Sequence, residues 1–402
     1  MRRLAFVLAW AALVALLFSW PQLTDYLPTT NEGAAVRLND SWSGVLRLWV
    51  CDEMWQPGGG SFVPWLNGCV SRFERRHPGV YVQVMSVPPA VFRGFASGDI
   101  NPPDMLLLAP GMLEDPAHLM ALTPSPLVAK SLSEAGQGYA AALAQGGYGW
   151  ALNRAYLQQA PVDWSMLGDP PKPAKKNQRA FSWMDVPADE LFSSYSNAFL
   201  SLMGDREISE EPAAPVKAGE GLNLGLSGEP ETTPPLRVTK RVRAVLPKAL
   251  PVDFRKRASV TSDFASGRTA AVLVTQREIR RLEALSGVGR APDWTLEAAP
   301  YTDQVAFLAV ADLPRDDLAT RQSLSVKLIE HLLSEDSQKA LSKIRAFRVT
   351  PGEALYASRM GYAQLERALS GGNVAPAAAF GSGFRSAGSA AADALVTRGG
   401  GT

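Results

Sequence analysis

Few side chains in this sequence stand at spacings that support covalent chemistry. The three histidines, His77, His118 and His331, are isolated, and the two cysteines, Cys51 and Cys69, show no metal-ligand spacing with them. The nucleophile elbow G-x-S-x-G, the phosphate loop G-x-x-x-x-G-K-[ST], a strand-linked G-x-G-x-x-G and H-E-x-x-H are all absent from the sequence. Adjacent acids such as Asp52 and Glu53 do not become an acid/base pair on one substrate merely by being neighbours. With no nucleophile and base to pair, the residues argue against an enzyme and imply no cofactor and no metal. What they offer is non-covalent recognition. Carboxylates accept hydrogen bonds, and the chain's ten tryptophans and nine tyrosines supply broad faces for stacking.

Composition sets the frame for those groups. The chain has 402 residues, 46% hydrophobic and 20% charged, so most of it is expected to fold, as more than one unit. Forty basic against 39 acidic residues leave a net charge of +1, and no basic cluster is interleaved with aromatics, which argues against nucleic acid as a partner.

Arg2 and Arg3 precede the uncharged apolar run Leu4 to Trp20, an export signal long enough to span a bilayer. No small-x-small site follows it and no lipid-accepting cysteine ends it. An uncleaved signal anchor leads, then a cleaved signal, ahead of a buried helix; the first two place the bulk of the chain outside the cytoplasm, in the periplasm or at the cell surface. An oxidising compartment permits Cys51 and Cys69 to pair, but a strand end and a mid-helix position favour two buried thiols.

The elements alternate. Residues 1–22 are read as signal or anchor and 23–43 as a linker. "GVLRLWV" is a buried strand, "SFVPWLNGCVSRFERRHPGV" a helix closed by Pro78-Gly79, "VYVQVMSV" a strand, and "DMLLLAP" another. This is the opening of a doubly wound α/β lobe, assigned to 44–148. A second α/β lobe is assigned to 149–300, with a flexible Gly/Pro/Glu-rich insertion at 205–235. Residues 301–369 supply crossing strands and C-terminal helices, and 370–402, rich in small residues, read as a disordered tail. The letters FASG occur twice, at Phe95 to Gly98 and Phe264 to Gly267. The flanking residues diverge at once, so the pair reads as one local device, a helix that delivers an aromatic to the core and stops at a glycine.

The strand carrying Trp49, then Phe73-Glu74, Pro78-Gly79-Val80, and Ser97-Gly98 followed by Pro103-Asp104, resemble the N-terminal lobe of extracellular solute-binding proteins of ABC transporters, of the maltodextrin-binding type (family 1). "YGWALNRAYLQQAP", "DFASGRTAAVLV" and "LIEHLLSEDSQKAL" continue the likeness to about Ala368; "DINPPD" departs from it by being longer than the usual link. The resemblance implies a two-lobed periplasmic-binding-protein-like fold (type II) with a ligand cleft between the lobes. It implies capture of a sugar, oligosaccharide or polyol derivative, delivery to permease subunits, and action as a monomer. The alternative is a membrane-anchored extracytoplasmic sensor or interaction module that keeps the fold and has lost transport.

Ligands of open α/β sheets sit beyond the carboxyl ends of strands, and clefts between domains are favoured pockets. The candidate ligand contacts are therefore Asp52, Glu53 and Trp55 after the first strand and Ala109, Pro110 and Gly111 after "MLLL". At the crossing they are Tyr148 and Trp150, and in the strand "RAFSWMD" they are Trp183 and Asp185. Acids would accept from sugar hydroxyls and aromatics would stack on pyranose faces. Each has a packing alternative: Trp49 lies inside its strand and reads as core, Trp150 and Trp183 can pack between hinge elements, and Asp52 and Glu53 can cap the next helix or face water. Pro103-Asp104 reads as structural, with the carboxylate bonding backbone amides.

Overall fold

The computed structural model describes residues 42–52, 54–97, 102–122, 126–128, 131–132, 134–154, 179–185, 252–298 and 301–381, with backbone alone at 179–185, 252–260, 270, 271, 273, 301 and 375. The N-terminal apolar run, the 205–235 insertion and residues 382–402 lie outside them. No helix among the described residues is long and apolar enough to cross a membrane. Residues 42–45 and Glu74–Tyr81 form a small unit, tied by the Gly44 amide on the Gly79 carbonyl (3.0 Å); the remainder is the main body.

Two five-stranded sheets make up that body. The first opens with β1 (Gly44–Cys51), whose Leu46, Leu48, Trp49, Val50 and Cys51 are buried as a strand covered on both faces requires. Helix α1 (Val63–Arg76) buries Trp65, Leu66, Cys69, Val70 and Phe73, one stripe at helical spacing, and ends in Arg75 and Arg76. Strand β2 (Val80–Val87), the short α2 (Pro89–Arg93), β3 (Met105–Leu108) and β4 (Ala140–Gln145) follow. β3 runs parallel to β1, with Trp49 opposite Leu106. Cys51 and Cys69 are buried thiols with no disulfide between them, and burial pushes the Cys69 thiol up.

The second sheet has the order β7-β6-β8-β5-β9, from β5 (Gly149–Asn153), β6 (Arg179–Asp185), β7 (Val252–Lys256), β8 (Thr269–Val274) and β9 (Trp294–Ala298). Helix α3 (Arg257–Ala265) leads into β8 through Gly267, which sits at φ +70, and delivers Phe264 fully buried. The first copy of the FASG device also buries its aromatic, Phe95, while Gly98 lies outside the described residues. Helix α4 (Gln276–Gly287) starts at a capping box: the Thr275 hydroxyl accepts from the Arg277 amide, and the Glu278 carboxylate accepts from the Thr275 amide (3.0 Å).

The chain then recrosses. After β10 (Tyr301–Thr302), β11 (Val305–Val310) inserts antiparallel between β3 and β4, giving the first sheet the order β2-β1-β3-β11-β4. Its six residues are all buried. Helices α5 (Leu318–Leu333) and α6 (Glu335–Lys339) stay with this sheet, where the Gln338 side-chain amide donates to the Leu143 carbonyl at 2.9 Å. Helix α7 (Met360–Ser370) belongs to the other: Gln364 accepts from the Leu296 amide and donates to Thr295. Residues 371–381, read from the sequence as part of a disordered tail, are structured, and 382–402 lie outside the described residues. Strand β12 (Ala375–Pro376) pairs with β10, and Val374, Ala377, Ala379 and Phe380 are buried, because small residues let the strand lie close to its neighbours.

Asp104 has the structural role its setting suggests. It is 4% exposed, accepts from the Arg47 amide (2.7 Å) and meets Arg315 (2.7 Å) and Arg321 (3.2 Å), closing the end of the first sheet where β3 begins. A buried carboxylate is tolerated there because every charge has a partner.

Candidate functional site

Registers locate the site. Gln145, the last residue of β4, lies opposite Val305, the first of β11; Gly149, the first of β5, lies opposite Val274 and Ala298, the last of β8 and β9. The ends of these strands therefore meet at the crossings between sheets. Among the segments that cross are 146–148, 301–304 and the stretch from 344 to 359 that carries the chain from α6 to α7.

Hydrogen bonds stitch the crossings together. The Gly146 amide donates to the Gln304 carbonyl (2.6 Å), and Thr302 Oγ1 donates to the Gly146 carbonyl (3.0 Å). The Tyr148 hydroxyl donates to Asp303 Oδ1 (2.7 Å), both residues being buried. Gln145 and Phe347 exchange backbone bonds of 3.0 and 2.9 Å, and the Gln145 side-chain amide donates to the Arg348 carbonyl. Arg348, 6% exposed, fixes the third crossing by bonding Glu335 (2.6 Å) and the carbonyls of Thr350, Pro351 and Glu353. Glu366 of α7 accepts from the Leu355 and Tyr356 amides. Few degrees of freedom remain in such connections, so any opening concentrates in a handful of peptide units.

The loop after β1, residues 54–60, reaches across. Its Gly59 amide donates to the Ile344 carbonyl (2.7 Å), while Arg277 and Arg280 of α4 donate to Gln56 Oε1 (3.1 Å) and the Gly58 carbonyl (3.2 Å). A side chain at Gly59 would stand 2.8 Å from Ile344 backbone atoms, so only glycine fits that approach.

The sequence candidates fall at these places with different exposures. Asp52 is exposed; its amide donates to the Val87 carbonyl and its carboxylate accepts from the Ser86 hydroxyl. Glu53 lies outside the described residues. Trp55 is 2% exposed and meets Phe62 edge-on at 4.8 Å. Ala109, Pro110 and Gly111 are buried, with the Gly111 amide on the Ala379 carbonyl (3.0 Å). Tyr148 and Trp150 are each 1% exposed. Trp183 and Asp185 lie in β6 opposite Phe254 and Lys256, with their backbone alone described. Trp55 and the crossing at 146–148 come together: a Cβ on Gly146 would lie 2.9 Å from Trp55 Cζ3.

Other residues at this point escape a reading by sequence. The same Cβ would fall on Gln276 Nε2 and 2.5 Å from Gln304 Oε1. Gln276 is fully buried with neither amide atom partnered, and Trp55 Nε1, Gln304 Oε1 and Arg345 Nη1 are likewise buried without partners. Arg345 sits at φ +60, a left-handed conformation costly for a residue with a Cβ, and stacks 5.5 Å over the Tyr362 ring. The Tyr362 hydroxyl donates to the Gln276 carbonyl (2.6 Å) and that of Tyr356 to the Ala346 carbonyl (2.8 Å). Burial pushes both phenols well above their ordinary range, so they act as neutral donors. Burial also raises the Glu283 carboxyl; it accepts from the Tyr362 amide and lies 3.7 Å from Arg359. Among the described residues no three His, Cys, Asp or Glu side chains gather to hold a metal ion.

No family model and no curated protein matches the sequence. Solved structures do. A Trichodesmium protein (IdiA, FutA) in complex with iron and citrate ligands superposes with a TM-score of 0.54 at 12% identity, covering 89% of this chain and 99% of that one. A Bordetella ferric binding protein gives 0.53 at 14% identity, again over 89% and 99%. The cyclic alpha-maltosyl-1,6-maltose binding protein of Arthrobacter globiformis gives 0.51 at 11%, over 89% and 97%. The chain has the periplasmic solute-binding-protein fold. Iron and maltosyl binders lie at similar distances, so this likeness does not single out the maltodextrin type.

Proposed function

We propose that this chain is an extracytoplasmic solute-binding protein, exported or anchored by residues 4–20, that captures a small polar solute between its two sheets. It acts as a monomer, without turnover, and hands the solute to ABC transporter permease subunits. A sugar, oligosaccharide or polyol derivative is the proposed class, on the strength of the sequence resemblance and of the aromatic residues at the crossings. The observation that carries the reading is the stitching of three crossing segments beneath a loop that bridges both sheets. Such a joint holds each sheet rigid and lets them part about a few peptides. In the open state Trp55, Tyr148 and Trp150 would offer stacking faces, and Asp52, Glu53, Trp183, Asp185 and the Ala109-Pro110-Gly111 turn would line the walls.

Titration calorimetry of the purified full chain against a carbohydrate and polyol panel tests this. Saturable one-to-one binding by a panel member is expected. Silence across the panel with binding of amino acids or metal ions would overturn the carbohydrate class.

A further inference from the structure

The charges around the bridging loop differ from those elsewhere in the molecule. Arg315, Arg321 and Arg348 each contact a carboxylate. Arg277, Arg280 and Arg345 converge on the loop at 54–60, and among the described residues none of the three has a carboxylate oxygen within 4.0 Å. Arg277 and Arg280 are exposed and spend a donor on neutral acceptors, Gln56 Oε1 and the Gly58 carbonyl. Arg345 is half-buried, in a left-handed backbone conformation, with Nη1 unpartnered. The nearby acids are committed: Glu278 to Thr275, and Glu283, whose carboxyl also feels the Arg345 charge, to the Tyr362 amide beside Arg359.

Beneath this basic rim lie the unpartnered polar atoms of Gln276, Gln304 and Trp55, all buried. Burying such groups unmatched is costly, so a site that keeps several together is organised for something other than packing. Donors outnumber acceptors among these unpartnered atoms: Arg345 Nη1, the Trp55 indole N–H and the Gln276 amide N–H stand against the two amide oxygens of Gln276 and Gln304. A neutral polyol does not match that excess; an oxyanion does, because charge-assisted bonds to guanidinium are about twice as strong as those to neutral acceptors.

We propose that the captured solute carries an oxyanion, a carboxylate or phosphate group, which displaces the loop's Gln56 and Gly58 acceptors from Arg277 and Arg280 and is shared with Arg345 and Gln276. This rests on the solute-binding reading and narrows its ligand to acidic solutes. Loop release and ligand capture become one exchange of acceptors.

The test is calorimetry on the full chain with matched solutes: glucose, glucuronate and glucose phosphate, with inorganic phosphate alone as a separate arm. An acidic member is expected to bind at least about tenfold tighter than glucose, with affinity falling as salt rises. The double variant Arg277→Ser/Arg280→Ser, at exposed positions, and Arg345→Gln should each weaken that binding about tenfold or more while circular dichroism shows the fold retained. Inorganic phosphate binding as tightly as the sugar acids would identify a free oxyanion as the ligand; weaker binding would identify an acidic sugar. Glucose binding as well as the acids, or variants that leave acid affinity unchanged, would overturn the proposal and leave the carbohydrate reading intact. Silence from every member would overturn both.

Discussion

Replacing Gly146 by alanine tests the joint directly. The added methyl group would fall on Gln276 Nε2 and lie 2.5 Å from Gln304 Oε1 and 2.9 Å from Trp55 Cζ3. Gly146 has no positive φ, so the backbone accepts alanine and the cost is purely steric. All three neighbours are side chains that could swing away, but they are 0%, 5% and 2% exposed and have little room. Inserting a methyl into so closed a region costs about 1–3 kcal/mol. At about 2–4 °C per kcal/mol for a domain of this scale, the Tm should fall by about 2–12 °C in scanning calorimetry. Gly287→Ala is the control, since nothing lies within 4 Å of its Cβ; it should be neutral or stabilising by up to about 1 kcal/mol. Adding Gln276→Ala to Gly146→Ala should restore part of the loss. An unchanged Tm in the single variant would refute the packing argument, and a loss that Gln276→Ala does not relieve would refute the assignment of its cause.

Asp104→Ala strands two arginines beside a buried position, and urea unfolding should show a loss of about 3–5 kcal/mol with solute affinity of the folded fraction unchanged, because the residue lies at the opposite end of β3 from the crossings. The Arg348 guanidinium holds the Glu335 carboxyl below its ordinary value, so that pair's contribution is fully present above about pH 4.3 and is lost as pH falls through the lowered native value. Glu335→Gln should flatten the acid limb of stability against pH; an unchanged limb would remove Glu335 from its causes.

The elements of the first sheet were readable because burial leaves a compositional mark: "LRLWV", "MLLL" and "VAFLAV" are apolar on both faces, and α1 shows its stripe at helical spacing. The partner of each strand was not. Nothing local in "VAFLAV" says that it lies between β3 and β4 rather than in the other sheet. Strand ends pointed to Trp55 and Tyr148, yet not to their burial: Trp55 packs edge-on to Phe62 in its own segment, and Tyr148 bonds Asp303 from a distant crossing. Gln276 and Arg280 sit in "QREIRRLEAL", a charged helix with no motif to mark a site, and Arg345 takes its left-handed backbone with no glycine or asparagine to announce it. Those residues become notable only when two sheets bring them to one place.

Trp55 sits edge-on to Phe62 in a dry setting, on the loop that spans both sheets. Parting the sheets would wet that indole and shift its emission to the red, so the molecule carries a built-in optical gauge of its own opening. Ten tryptophans share the signal, and Trp55→Phe subtracted from the native spectrum would isolate the one that moves.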